Sequence, residues 1–231
     1  MQDLTTDSSD RDHANLIRLG GLAMLAGLVI HIVANMVLKV FPPENPSLAE
    51  LQTYLSNEAG SWAIVHGIRY VAVVCIVLFA AGLFARTCST RSTPNIGWGI
   101  VGLLGTALMV VNLFIANGIE TLIFMDFDRL SQQADTFWSL FYLTRTLFTA
   151  EIVAWAVLYL GFGVAGLLSA TLPKWIAWLG FFAAANGLLT GVFIVPIMNN
   201  SWPEIFLALA SLTGTIWFIS VSVYMVRRGS S

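Results

Sequence analysis

The sequence predicts an all-α, polytopic membrane protein: a bundle of six transmembrane helices with a short interfacial helix in the first outer loop. Three observations predict it. Of the 231 residues, 57% are hydrophobic and only 10% charged, and the mean hydropathy is +0.79, well above that of a soluble globular domain. The apolar residues gather into six runs, each able to cross a hydrocarbon core about 30 Å thick, which takes roughly 20 residues per helix. The runs are continuous, whereas a membrane β-barrel alternates over segments of about ten residues, so the backbone groups are expected to pair within helices.

The first fourteen residues are polar, with Asp3, Asp7, Asp10 and Asp12. They have too little apolar content to pack and read as a disordered cytoplasmic tail, of the wrong charge for a secretory signal. A single membrane domain then occupies residues 15–228. Its spans are predicted at 18–40, 62–85, 97–124, 138–169, 175–197 and 205–226.

Between the first two spans, Pro42, Pro43 and Pro46 lead to Ser47 with Glu50 three residues on, a capping-box pattern. Leu48, Leu51, Tyr54 and Leu55 follow on one face, which suits a short helix lying at the membrane surface. The loop from Asp126 to Asp135 is acidic and reads as solvated. Trp175, Trp178, Trp202 and Tyr224, near span ends, are the usual interfacial aromatics.

Lys and Arg set the orientation. Arg11, Arg18, Arg86, Arg91, Lys174, Arg227 and Arg228 share one side, against Lys39 and Arg129 on the other, so both termini are expected to be cytoplasmic. Cys75 and Cys88 fall in a span and in a cytoplasmic loop, a placement that does not suit a disulfide. The net charge of −2 leaves no nucleic-acid footprint. Gly99, Gly102 and Gly105, with Gly161, Gly163 and Gly166, read as sites of close helix packing, within one bundle or in a homo-oligomer.

The remaining signal is polar. A charged group at the centre of a membrane helix costs about 2.5 to 3.5 kcal/mol on insertion scales, so several together imply partners or water. At 1.5 Å per residue, His31 falls roughly 12 Å inside the outer edge of its span, and His66, Arg69 and Arg145 roughly 6, 10 and 10 Å below the same edge. Asn35, Asn117 and Glu120 are also toward that edge, Asn112 is deeper, and Glu151 and Asn186 are near the centre.

Spacing places His31 with Asn35, His66 with Arg69 and Tyr70, and Asn117 with Glu120 on shared helical faces. Thr144 and Glu151 share another, from which Arg145 projects about 100° away. Glu120 and Glu151 are expected to neutralise Arg69 and Arg145 in a pairing the sequence leaves open. Any one of these residues can serve as interhelical glue. Their gathering on one side points to a polar cavity in the outer half of the bundle.

Three readings of that cavity follow. In the first it binds a small lipophilic molecule, or binds it and transforms it by isomerisation, cyclisation or hydration. Glu151, Glu120, His31 and His66 are then the acid–base candidates, while Arg69, Arg145, Asn35, Asn112, Asn117, Asn186 and Tyr70 hold the ligand. The second is a proton-coupled transporter, since buried carboxylates and imidazoles also relay protons. In the third, His31 and His66 ligate haem, or with Glu120 a divalent metal. The first two need no cofactor. No glycine-rich phosphate loop, haem-attachment motif or zinc-protease motif appears. The partners expected are membrane lipids and the lipophilic ligand.

The segment Leu51 to Gly60 leading into Ser61-Trp62, the Gly82-Leu83-Phe84 end of the second span, and Leu172-Pro173-Lys174-Trp175 opening the fifth resemble a family of small six-helix bacterial integral membrane proteins known as a domain of unknown function. The resemblance covers most of the chain. It implies the fold and a bacterial inner-membrane location, and assigns no activity.

Overall fold

The computed structural model describes residues 3–38, 47–89, 93–198 and 203–228. All elements there are helical: α1 (Asp3–Leu38), α2 (Leu48–Thr87), α3 (Thr93–Met125), α4 (Phe127–Ser131), α5 (Ala134–Leu168), α6 (Lys174–Val192), α7 (Ile194–Met198) and α8 (Glu204–Arg228). Six of them are long and apolar enough to cross a membrane, the design of a multi-pass membrane protein. The six close a ring in which α1 packs on α2, α2 on α3, α3 on α5, α5 on α6, α6 on α8 and α8 back on α1. Large apolar side chains such as Val29, Val74, Leu104, Leu108 and Leu212 remain on the outside, as a lipid-facing surface requires.

The structure redraws several sequence expectations. The capping box forms as expected: Ser47 Oγ accepts from the Glu50 amide, and the Glu50 carboxylate accepts from the Ser47 amide at 2.8 Å. The helix it starts does not stop before the second span but runs on for 40 residues. At 1.5 Å per residue that is about 60 Å, twice the hydrocarbon thickness, so its first turns extend beyond the membrane. The reason is local: no proline interrupts residues 48–87, and Gly60, at the junction with the span, costs a helix only about 1 kcal/mol.

The acidic tail, expected to be disordered, is helical from Asp3. It contains no proline or glycine to interrupt a helix. The acidic loop after α3 is tied down by α4, whose Phe127 and Leu130 are buried. The expected fifth span to residue 197 breaks at Phe193. Pro196 has no amide to give the Val192 carbonyl and its ring crowds that turn.

Small residues bring α3 and α5 closest. A Cβ on Gly161 would overlap the backbone of Gly102, and one on Gly105 would meet the Ala154 carbonyl at 2.9 Å, so this contact depends on glycine.

Two apolar cores follow one another along the bundle. One gathers Leu51, Leu55, Trp62, Val65, Ile123, Phe127 and Phe137. The other gathers Ile76, Phe79, Leu83, Met109, Leu158, Phe162, Trp217 and Phe218. Along α2 the first ends at Val65 and the second begins at Ile76. The intervening turns of α2, with the matching turns of α1, α3 and α5, enclose the site described next.

Candidate functional site

A cavity of about 590 Å³ opens where α1 and α2 face α3 and α5. Its walls are mostly apolar, with Met24, Leu28, Ile32, Ile76, Leu113 and Ile152 among them. Three ionisable side chains from three different helices reach it: His31 from α1, Arg69 from α2 and Glu151 from α5. The expected polar chamber is thus an apolar one with polarity confined to a few heads.

Arg69 is held from behind. It donates to the Glu120 carboxylate and, at 3.1 Å, to the Asn117 side-chain carbonyl. Its guanidinium also lies over the Phe148 ring, 5.1 Å from the centroid, where the electron-rich face attracts a cation. Asn117 and Glu120 are one turn apart on α3, so one helical face supplies both acceptors. The pairing offsets the desolvation of two charges whose side chains are only 18% and 14% exposed.

His66 joins the same group. Its Nδ1 lies 2.9 Å from the Trp62 carbonyl, which can only accept, so Nδ1 carries the proton of that bond. Nε2 stands 3.1 Å from the Glu120 oxygen that Arg69 uses, off the line of a hydrogen bond. The ring stacks on Trp62, with centroids 5.1 Å apart, and Trp62 donates to the Tyr54 hydroxyl at 3.1 Å. His66 and Glu120 are therefore committed to Arg69 and to the neighbouring aromatic core, and neither lines the cavity.

Glu151 is arranged differently. It is 8% exposed, and its Oε1 accepts from Trp155 Nε1 at 2.9 Å. Among the described residues no Lys, Arg or His lies within ion-pair distance of it. The expectation that each membrane carboxylate neutralises an arginine thus holds for Glu120 with Arg69, and Glu151 takes the indole of Trp155 instead. Arg145 is half-buried, without a carboxylate at ion-pair distance among the described residues. It is about two turns along α5 from Ile152 and lies outside the cavity wall.

Other expected site residues lie elsewhere. Asn186, on α6, donates to the Phe182 carbonyl of its own helix at 2.8 Å. Tyr70 packs on Phe114 at the outer surface, and Asn112 is half-buried and outside the cavity wall. The Asn35 side chain lies outside the described residues.

His31 and His66 do not share the cavity, and among the described residues no three His, Cys, Asp or Glu side chains are grouped to hold a metal ion. Sequence reasoning missed Trp155, Phe148 and Cys75, all on the wall. The first was findable, since a tryptophan four residues after a buried glutamate faces it on a helix.

Comparison with protein-family models, with curated proteins and with solved structures yields no match.

Proposed function

We propose that this chain, set in a bacterial inner membrane with both termini cytoplasmic, binds a small lipophilic molecule in the cavity among α1, α2, α3 and α5. One observation carries the reading. His31, Arg69 and Glu151, distant in sequence and borne on three helices, line the same apolar-walled cavity. Ligand sites are mostly apolar clefts of about 300 to 1,000 Å³ with a few convergent polar groups, and this one is within that range. The apolar wall would hold a hydrocarbon body, with its polar group beside Glu151 and His31. If the bound molecule is transformed by proton transfer, Glu151 and His31 are the groups placed to do it. His66 and Glu120 position Arg69.

The test uses the protein in detergent with a brominated long-chain alcohol as a heavy-atom quencher. Trp155 is on the cavity wall, so wild-type fluorescence is expected to fall saturably. The loss should shrink in Trp155→Phe and in Ala72→Phe, whose added ring fills the cavity. Equal, non-saturating quenching in all three proteins would refute the reading.

A further inference from the structure

We infer that Glu151 is the counter-ion for a lipophilic monocation, such as a protonated amine or a quaternary onium ion, seated against Trp155 and Phe148. The inference rests on the cavity being a binding site and adds the charge of what it binds.

Charge balance around the cavity singles out Glu151. Among the fixed charges at this level, Arg69 is matched by Glu120, to which it donates directly, with Asn117 completing its acceptors. His31 brings an imidazole, which carries no fixed charge. Cys75 is a free thiol, and Leu113, the α3 residue on the wall, is apolar. That leaves the Glu151 carboxyl group, over nine-tenths buried, with one neutral donor from Trp155 and, although Arg69 shares the cavity, no cation within ion-pair distance among the described residues. A buried carboxylate without a counter-charge is costly. A cation entering the cavity supplies that charge at the moment of binding.

The wall suits the same sign. Trp155 and Phe148 line the cavity, and aromatic rings attract cations, as Phe148 does for Arg69. An anion would face the unmatched carboxylate and find Arg69 engaged. The aliphatic wall selects a hydrophobic body over a hydrated inorganic ion.

Tetraphenylphosphonium and tetraphenylborate match in shape and differ in sign, and triphenylphosphine oxide is an uncharged relative. Equilibrium dialysis of each against the full-length protein in an uncharged detergent, with protein-free micelles subtracted, is the test. Saturable binding of the phosphonium, with the borate roughly tenfold weaker or undetectable, is expected. Glu151→Gln should weaken the phosphonium roughly tenfold or more while still binding the phosphine oxide, which shows its cavity intact, and Glu151→Asp should retain the phosphonium. Phosphonium binding unchanged in Glu151→Gln, or borate binding as tight as phosphonium, overturns the counter-ion role and leaves the cavity reading standing. Failure of all three probes to bind the wild type overturns both.

Discussion

Arg69 on α2 donates to Glu120 on α3, a residue 51 positions away, and in doing so leaves Glu151 on α5 as the carboxylate that faces the cavity without a cation. The pair joins α2 to α3 beside the cavity. Removing one partner strands the other. Arg69→Ala is expected to lower stability by about 3 to 5 kcal/mol, the usual cost of breaking a buried pair, and Arg69→Met with Glu120→Leu to recover most of it. Thermal unfolding of the wild type and the two variants in one detergent checks this. A double variant no better than Arg69→Ala would show that the pair is not the cause.

The α3–α5 contact makes a sharper packing prediction. A methyl on Gly161 would collide with the Gly102 backbone, whereas one on Gly118 would meet nothing within 4 Å. Gly161→Ala is expected to destabilise by about 1 to 3 kcal/mol or more through overpacking. Gly118→Ala should be neutral or stabilising by up to about 1 kcal/mol, because alanine holds a helix better than glycine. Similar unfolding midpoints for the two variants would contradict the close approach of these helices.

Ala170, which ends α5, has a positive φ of 54°. The Thr171 amide bonds the Gly166 carbonyl and the Ala170 amide bonds that of Leu167, the pattern of a Schellman cap that usually holds glycine at this position. The left-handed conformation costs an L-residue about 1 to 2 kcal/mol, and glycine's extra freedom when unfolded returns about 0.5 to 1. Ala170→Gly should therefore stabilise the protein by roughly 0.5 to 1 kcal/mol, read as a higher unfolding midpoint. A lower midpoint would contradict the cap.

The start of α2 should be sensitive to pH. The Ser47 amide, then its hydroxyl, hold the Glu50 carboxyl below its ordinary range. With the folded value lowered, this support is present above the ordinary glutamate range, near 4.3, and is lost as pH falls through the folded value. The protection factors of the Glu50 and Leu51 amides, which allow for the slower intrinsic exchange in acid, should fall on acidification in the wild type. Ser47→Ala should expose the same amides at neutral pH, with the roughly 1 kcal/mol loss typical of a removed N-cap. Protection factors independent of both would show that the capping box does not hold this turn.

How much of this was legible in the sequence depended on whether the signal lay within one helix. Continuous apolar runs predicted six spans, and the Ser47–Glu50 spacing predicted a cap that is present. The shared faces of His66 with Arg69 and of Asn117 with Glu120 were legible too, because 3.6 residues per turn fixes them. The partner of each arginine was not legible. It depends on how far α2, α3 and α5 are rotated about their axes, which packing such as Gly161 on Gly102 decides. Arg145 and Asn186 were drawn into the expected site by depth alone. Depth carries no information about which way a side chain faces.

Photolabelling tests most directly whether the cavity among α1, α2, α3 and α5 receives a ligand. A lipophilic benzylamine bearing a trifluoromethyl diazirine would be photolysed with the wild-type protein and its adducts mapped by peptide mass spectrometry. Saturable adducts are expected on Leu113, Phe148 and Ile152, lost in Ala72→Phe. Adducts confined to outward-facing residues such as Leu104, Leu108 and Val111, and unchanged in that variant, would contradict it.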